Sequence, residues 1–190
     1  MIGVIQYSHK LLKQSIEKGE LAIDATCGNG NDTIVLSDIV GDDGKVFAFD
    51  IQDQAIQTTK ERLAELNKKN VKLIKDSHAN LKQYLLKEEQ IGGAIFNLGY
   101  LPRSDKRIIT KGASTIKALE TILKHLKKKG ITVLVVYHGH EGGSEEKEQL
   151  LQYVTNLDQK HFQVLRYGYI NQINNPPFVI AIKKIKENVL

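Results

Sequence analysis

Short apolar runs recur along the chain at intervals set by intervening polar, helix-compatible stretches. They predict strands at about residues 20–25, 45–50, 71–75, 93–97, 131–137, 162–168 and 178–184, with helices between most of them and a first helix at about 8–18. The run I-T-V-L-V-V-Y from Ile131 to Tyr137 is apolar without alternation, as expected of a central parallel strand covered on both faces. Gly130 is expected to end the lysine-rich helix before it. The last two strands have no helix between them. Their connection from Ile170 to Pro177 holds three asparagines and two prolines, which predicts an antiparallel hairpin. No repeat, low-complexity tract or linker interrupts the pattern, so residues 1–190 read as one α/β domain with a seven-stranded, mostly parallel, Rossmann-like sheet whose last strand is antiparallel.

In such a sheet ligands lie beyond the carboxyl ends of the strands. The first predicted strand runs into D-A-T-C-G-N-G-N-D-T, residues 24–33. Gly28 and Gly30 let the backbone turn tightly and approach a ligand, and Asn31, Asp32 and Thr33 open the following helix. Asp50 ends the next strand twenty residues after Gly30, where a carboxylate can accept hydrogen bonds from both hydroxyls of a ribose. These features predict an adenosine-containing cofactor. A dinucleotide site would carry a third glycine where this chain has Thr33. With Asp24 four residues before Gly28, the turn instead resembles motif I of class I S-adenosylmethionine-dependent methyltransferases, in which the acid helps hold the cationic methionine end.

The other strand exits are also polar. After the third come Asp76, Ser77 and His78, candidates to face the adenine; Asp76 reads equally as the N-cap of a helix near residue 80. The fourth runs into A-I-F-N-L-G-Y-L-P, placing Asn97 and Tyr100 where amino-directed nucleic-acid methyltransferases carry a polar residue that orients the amine and an aromatic that stacks on the base. Leu98 and Gly99 stand where those enzymes have two prolines. The fifth runs into Y-H-G-H-E-G-G, and His138 and His140 are expected to bind substrate or handle a proton. His9, on the first helix, is a candidate for the same mouth. A catalytic metal is not expected, because H-x-H-E has no second cluster at zinc spacing. Cys27 lies inside the cofactor turn and reads as a small corner-filling residue rather than a nucleophile, which favours an amine acceptor that already has a lone pair.

The net charge of +5 permits an anionic partner without demanding one. The clusters Lys68-Lys69, Lys124 with Lys127 to Lys129, and Lys183-Lys184 with Lys186 read as solvated faces, late-helix charges or a charged edge strand. No long apolar run or basic leader predicts membrane insertion or secretion, so a cytoplasmic location is expected. A single cysteine leaves no disulfide framework.

Taken in order, D-A-T-C-G-N-G-N-D-T, F-A-F-D-I-Q, D-S-H, N-L-G-Y-L-P and Y-H-G-H-E-G-G resemble the small bacterial YtqB-like family of rRNA methylases nearly end to end. That family includes MnmM-type enzymes acting on 5-aminomethyl-2-thiouridine at the tRNA wobble position. The resemblance implies that Asn29, Asn31, Asp50, Gln52, Ser77 and His78 hold S-adenosylmethionine, with Asp24 and Thr33 in support. It implies that the target nucleotide meets Asn97, Tyr100, His138 and His140. Arg103, Lys106 and Arg107 are candidates for phosphate contacts in the anticodon stem-loop. With no separate RNA-binding domain expected, the methyltransferase surface, alone or as a homodimer, must dock the RNA. Methylation of rRNA or of a small amine, and RNA binding without catalysis, stand as alternatives, with a nicotinamide dehydrogenase more distant.

Overall fold

The computed structural model describes residues 1–99, 110–139 and 142–187. Its strands are β1 (Leu21–Asp24), β2 (Lys45–Asp50), β3 (Val71–Lys75), β4 (Ile91–Leu98), β5 (Leu126–Val136), β6 (Phe162–Tyr167) and β7 (Phe178–Lys184). They form one sheet in the order β3-β2-β1-β4-β5-β7-β6. β1 to β5 pair in parallel, and β7 is antiparallel to both β5 and β6. The strand pattern and the terminal hairpin expected from the sequence are therefore borne out. The antiparallel strand lies inside the sheet, and the half-exposed β6 forms the edge.

The α-helices are α1 (Val4–Ser15), α2 (Asn31–Val40), α3 (Asp53–Glu65), α4 (Gly112–His125) and α5 (Gly143–Thr155), with a 3-10 helix at His78–Gln83. Helices cover both faces, which is why the central strands read as unbroken apolar runs. On β4, Ala94, Phe96 and Leu98 pack with Leu119 and Ile122 of α4 and Leu150 of α5, whereas Ile95 packs with Leu12 of α1 and Leu36 of α2. α1 and α2 thus share a face, bringing the first turns of α1 toward the opening of α2.

Several expectations are corrected. α1 begins four residues before the predicted helix, after Gly3, and ends at Ser15, because Ile16 turns extended and enters the core at 5% exposure. Gly130 does not end α4, which stops at His125. The register of β4 against β5 jumps from Ile91↔Leu126 to Gly93↔Ile131, so Lys127 to Gly130 form a bulge within β5. A Cβ on Gly130 would lie 2.9 Å from the carbonyl oxygens of Gly92 and Lys127, so glycine serves close packing there. K-K-K-G mimics a helix end. Lys183 and Lys184 are not on an edge strand: Lys184 is buried, and its ammonium donates to the carbonyls of Leu123 and Lys124 at 3.2 and 3.3 Å, satisfying the last turn of α4. Among the described residues no helix is long and apolar enough to cross a membrane.

Candidate active site

β1 lies between β2 and β4, so successive connections leave it in opposite directions and open a crevice at its carboxyl end. The turn from Asp24 to Asn31 lines that crevice. Gly28 and Gly30 adopt φ of 51° and 78°, the left-handed region that glycine enters without penalty. A Cβ on Gly30 would fall 2.8 Å from Cγ2 of Thr59, and the Thr59 hydroxyl donates to the Gly28 carbonyl at 2.9 Å. Arg62, one turn further along α3, donates to the Asn29 carbonyl and, at 2.8 Å, to Oδ1 of Asn31. Neither α3 residue carried a sequence signal, since each reads as an ordinary position of an amphipathic helix.

Asp50 locks the same turn from β2. Its Oδ2 accepts from the Gly28 amide at 3.0 Å and its Oδ1 from the Gln52 amide at 2.9 Å. Each oxygen retains a lone pair for a ligand. Asp24 is wholly buried behind the turn, accepting from the Thr33 hydroxyl at 2.6 Å and the Thr26 amide at 3.2 Å. The position that would be a third glycine is therefore a hydroxyl serving a buried acid. Burial, and next the Asp32 charge, push Asp24 up to about 7 from its ordinary 3.8. Cys27 is 4% exposed, and burial followed by the Asp24 and Asp50 charges pushes its thiol upward, away from the thiolate a nucleophile needs.

At the exit of β3, Ser77 rather than Asp76 caps the short helix, accepting from the Ala79 amide at 3.2 Å. Asp76 accepts from Ser77, Asn80 and Tyr84, and the last two hold it below its usual range. His78 Nδ1 lies 3.0 Å from the Ala25 carbonyl, which can only accept. That nitrogen therefore carries the proton, leaving Nε2 a bare acceptor; it is buried and unpartnered. Burial keeps His78 neutral by lowering its pKa.

Asn97, near the end of β4, donates its backbone amide to Thr26 Oγ1 at 2.7 Å, tying the β4 exit to the glycine turn. Its side-chain Nδ2 donates to Asp32 Oδ2. Its Oδ1 is then a buried acceptor with no partner. The other carboxylate oxygen of Asp32 lies 2.5 Å from Nε2 of His9 on α1. His9, Asp32 and Asn97 thus form one chain across α1, α2 and β4, with one oxygen of Asp32 on His9 and the other on Asn97. Tyr137 follows β5 directly, and burial and then the Asp32 charge raise its phenol. The sequence offered Tyr137 only as the first letter of a histidine motif. His138 packs its ring 5.6 Å from Phe178. Tyr100, Arg103, Lys106, Arg107 and His140 lie outside the described residues.

Buried, unpartnered acceptors on His78 and Asn97, spare lone pairs on Asp50 and a glycine turn with no Cβ at its crest together fit a ligand rich in N–H and O–H donors, as an adenosine cofactor and an amine are.

Residues 46–183 match the family model described as "Putative rRNA methylase". The chloroplastic tRNA (mnm(5)s(2)U34)-methyltransferase of Arabidopsis thaliana is 36% identical over 188 residues, covering 94% of this chain and 69% of that protein. A crystal structure named an rRNA-methylase from Clostridium thermocellum superposes with a TM-score of 0.94 at 43% identity, covering 97% of this chain and 99% of that one. A methyltransferase from Streptococcus mutans, solved in complex with SAH, gives a TM-score of 0.90 at 45% identity over 97% and 99% of the two chains. With its glycine turn, its strand-end carboxylate and its seven-stranded sheet, this chain belongs to the rRNA methylase family and is an S-adenosylmethionine-dependent methyltransferase.

Proposed function

We propose that this protein methylates the aminomethyl nitrogen of 5-aminomethyl-2-thiouridine at the tRNA wobble position, giving 5-methylaminomethyl-2-thiouridine. The observation that carries this reading is Asn97: its Nδ2 is committed to Asp32, so its buried Oδ1 is an unpartnered acceptor for an amine N–H. The name of the Arabidopsis relative supports the tRNA substrate.

S-adenosylmethionine, when bound, supplies a methyl group activated by a sulfonium centre. Gly28, Gly30, Asn29, Asn31, Asp50, Gln52, Ser77 and His78 are the residues that would hold it, with Asp50 toward the ribose and the bare His78 Nε2 as an acceptor for an amine of the base. Asp24 and Thr33 stiffen the turn from behind. Asn97 Oδ1 orients the attacking nitrogen, and its backbone bond to Thr26 fixes that acceptor relative to the cofactor turn. A wobble base is already partly unstacked, so presenting its substituent costs less than extrusion from a duplex. Tyr100, His138 and His140 are assigned to the nucleotide, and Arg103, Lys106 and Arg107 to phosphates.

Asn97→Ala is the direct test. It should lower turnover of tRNA carrying the aminomethyl base by roughly 100-fold or more while SAH affinity, measured by calorimetry, stays within about threefold. Parallel loss of both would remove Asn97 from the substrate side. Ribosomal RNA is the second reading, favoured by the family's description; methyl label entering rRNA and not tRNA would establish it.

A further inference from the structure

Asp32 opens α2 directly after the glycine turn, a position that reads as cofactor-binding, yet its carboxylate is spent elsewhere. One oxygen meets His9 Nε2 at 2.5 Å and the other accepts from Asn97 Nδ2. The Asp32 side chain is 9% exposed and that of His9 22%, so the pair runs from the buried acceptor outward to solvent. We propose that Asp32 is the proton acceptor of the methyl transfer and that His9 is the positioning residue that holds it.

An alkyl amine reaches the site near neutral pH chiefly as an ammonium, which has no lone pair to attack with. One N–H bond must break, the nitrogen keeping its electrons and the proton passing to a carboxylate oxygen of Asp32. The nitrogen pair then forms the N–CH3 bond as the S–CH3 bond breaks, sulfur keeping that bond's electrons. The product leaves as a secondary ammonium, and the proton on Asp32 returns to water past His9. Asn97 sets the geometry: the amide that offers Oδ1 to the amine is hydrogen-bonded through Nδ2 to the base itself, so nitrogen and proton acceptor are aligned by one planar group. Because an ionised carboxylate only accepts, His9 must present Nε2–H to it, which fixes the ring and leaves Nδ1 toward its other side. Among the described residues the ionisable groups facing Asp32 are His9 from α1, the buried Asp24 of β1 and the phenol of Tyr137 beyond β5.

This inference rests on the amine-methylation reading, and one experiment separates the two. Turnover of tRNA carrying the aminomethyl base is measured from pH 6 to 10 for the wild type, Asp32→Asn, His9→Gln and His9→Ala, with SAH affinity measured on each protein as a check of folding and of the cofactor site. Asp32→Asn should lose about 100-fold or more in kcat near pH 7, keep SAH affinity within about threefold, and regain rate roughly tenfold per pH unit as the amine deprotonates in solution. His9→Gln, which keeps an N–H for the carboxylate, should recover most of what His9→Ala loses. Near-normal kcat in Asp32→Asn, a loss with no recovery at high pH, or a fall in SAH affinity matching the fall in rate would each overturn the assignment. A wild-type protein inactive on this tRNA would overturn the functional reading and the inference with it.

Discussion

At the scale of single residues, the crest of the glycine turn has little freedom to change. Gly30→Ala would force a side chain into φ of 78° and press its Cβ against Thr59, at a cost of about 1–3 kcal/mol. Thermal denaturation should show a lower midpoint, and SAH affinity should fall with it; an unchanged affinity would mean that the turn does not approach the cofactor. Asp24 gives a second, pH-dependent handle. Its folded value, raised to about 7, lies above its ordinary 3.8, so between these values the folded chain binds more protons than the unfolded one. The sign follows: the contribution of Asp24 favours folding below about pH 4 and is progressively lost as pH rises toward 7. Urea denaturation of wild type and Asp24→Asn at pH 5 and pH 8 should therefore find the variant faring relatively better at the higher pH. The polar side chains at the strand ends were legible in the sequence because spacing places Asp24, Asp50 and Asn97 there. Which oxygen each one spends on the protein was not legible. Asp32 opens α2 beside the glycine turn, and its hydrogen-bond partners come from α1 and β4, 23 and 65 residues away, which spacing does not reveal.

At the scale of elements, α2 is held at both ends. Asn70, just before β3, donates to the carbonyls of Ser37 and Gly41 at 3.0 and 2.8 Å and accepts from the Ser37 hydroxyl at 2.6 Å, closing the last turn of α2. Asn70→Ala removes all three bonds and should cost about 1–3 kcal/mol in urea unfolding, with SAH affinity preserved in the folded fraction. A loss under 0.5 kcal/mol, the usual range for surface changes, would show that water replaces Asn70 freely. Glu146 plays a comparable part for Gly99 and Thr110. Buried in the first turn of α5, it accepts from Thr110 at 2.8 Å and Thr115 at 3.2 Å, while Thr110 Oγ1 accepts from the Gly99 amide at 3.0 Å. The two described flanks of residues 100–109 are thereby joined to one carboxylate. The central strands were read well from the sequence because two-sided burial leaves an unmistakable apolar run. The ends of α1 and α4 were misjudged because tertiary packing set them: Ile16 leaves the helix for the core, and the lysines before Gly130 form a bulge.

At the scale of the whole molecule, the sheet order explains why distant segments converge. Reversal of the connections at β1 places the turn after β1 beside the exit of β4, and the shared face of α1 and α2 brings His9 to the same point. The fold class and the sharp glycine turn after β1 were readable because the strand endings coincide with glycines and polar residues. The pairing of His9 with Asp32 was not, because the approach of a first helix to a sheet is decided by packing. The proposed activity turns on which atom accepts the methyl group. Purified protein incubated with methyl-labelled S-adenosylmethionine and bulk tRNA from cells lacking this enzyme, followed by nucleoside analysis, addresses it directly. Conversion of 5-aminomethyl-2-thiouridine to its N-methylated form is the expected result. Retention of the aminomethyl base unchanged, by protein that binds SAH and methylates rRNA or a free amine instead, would contradict it.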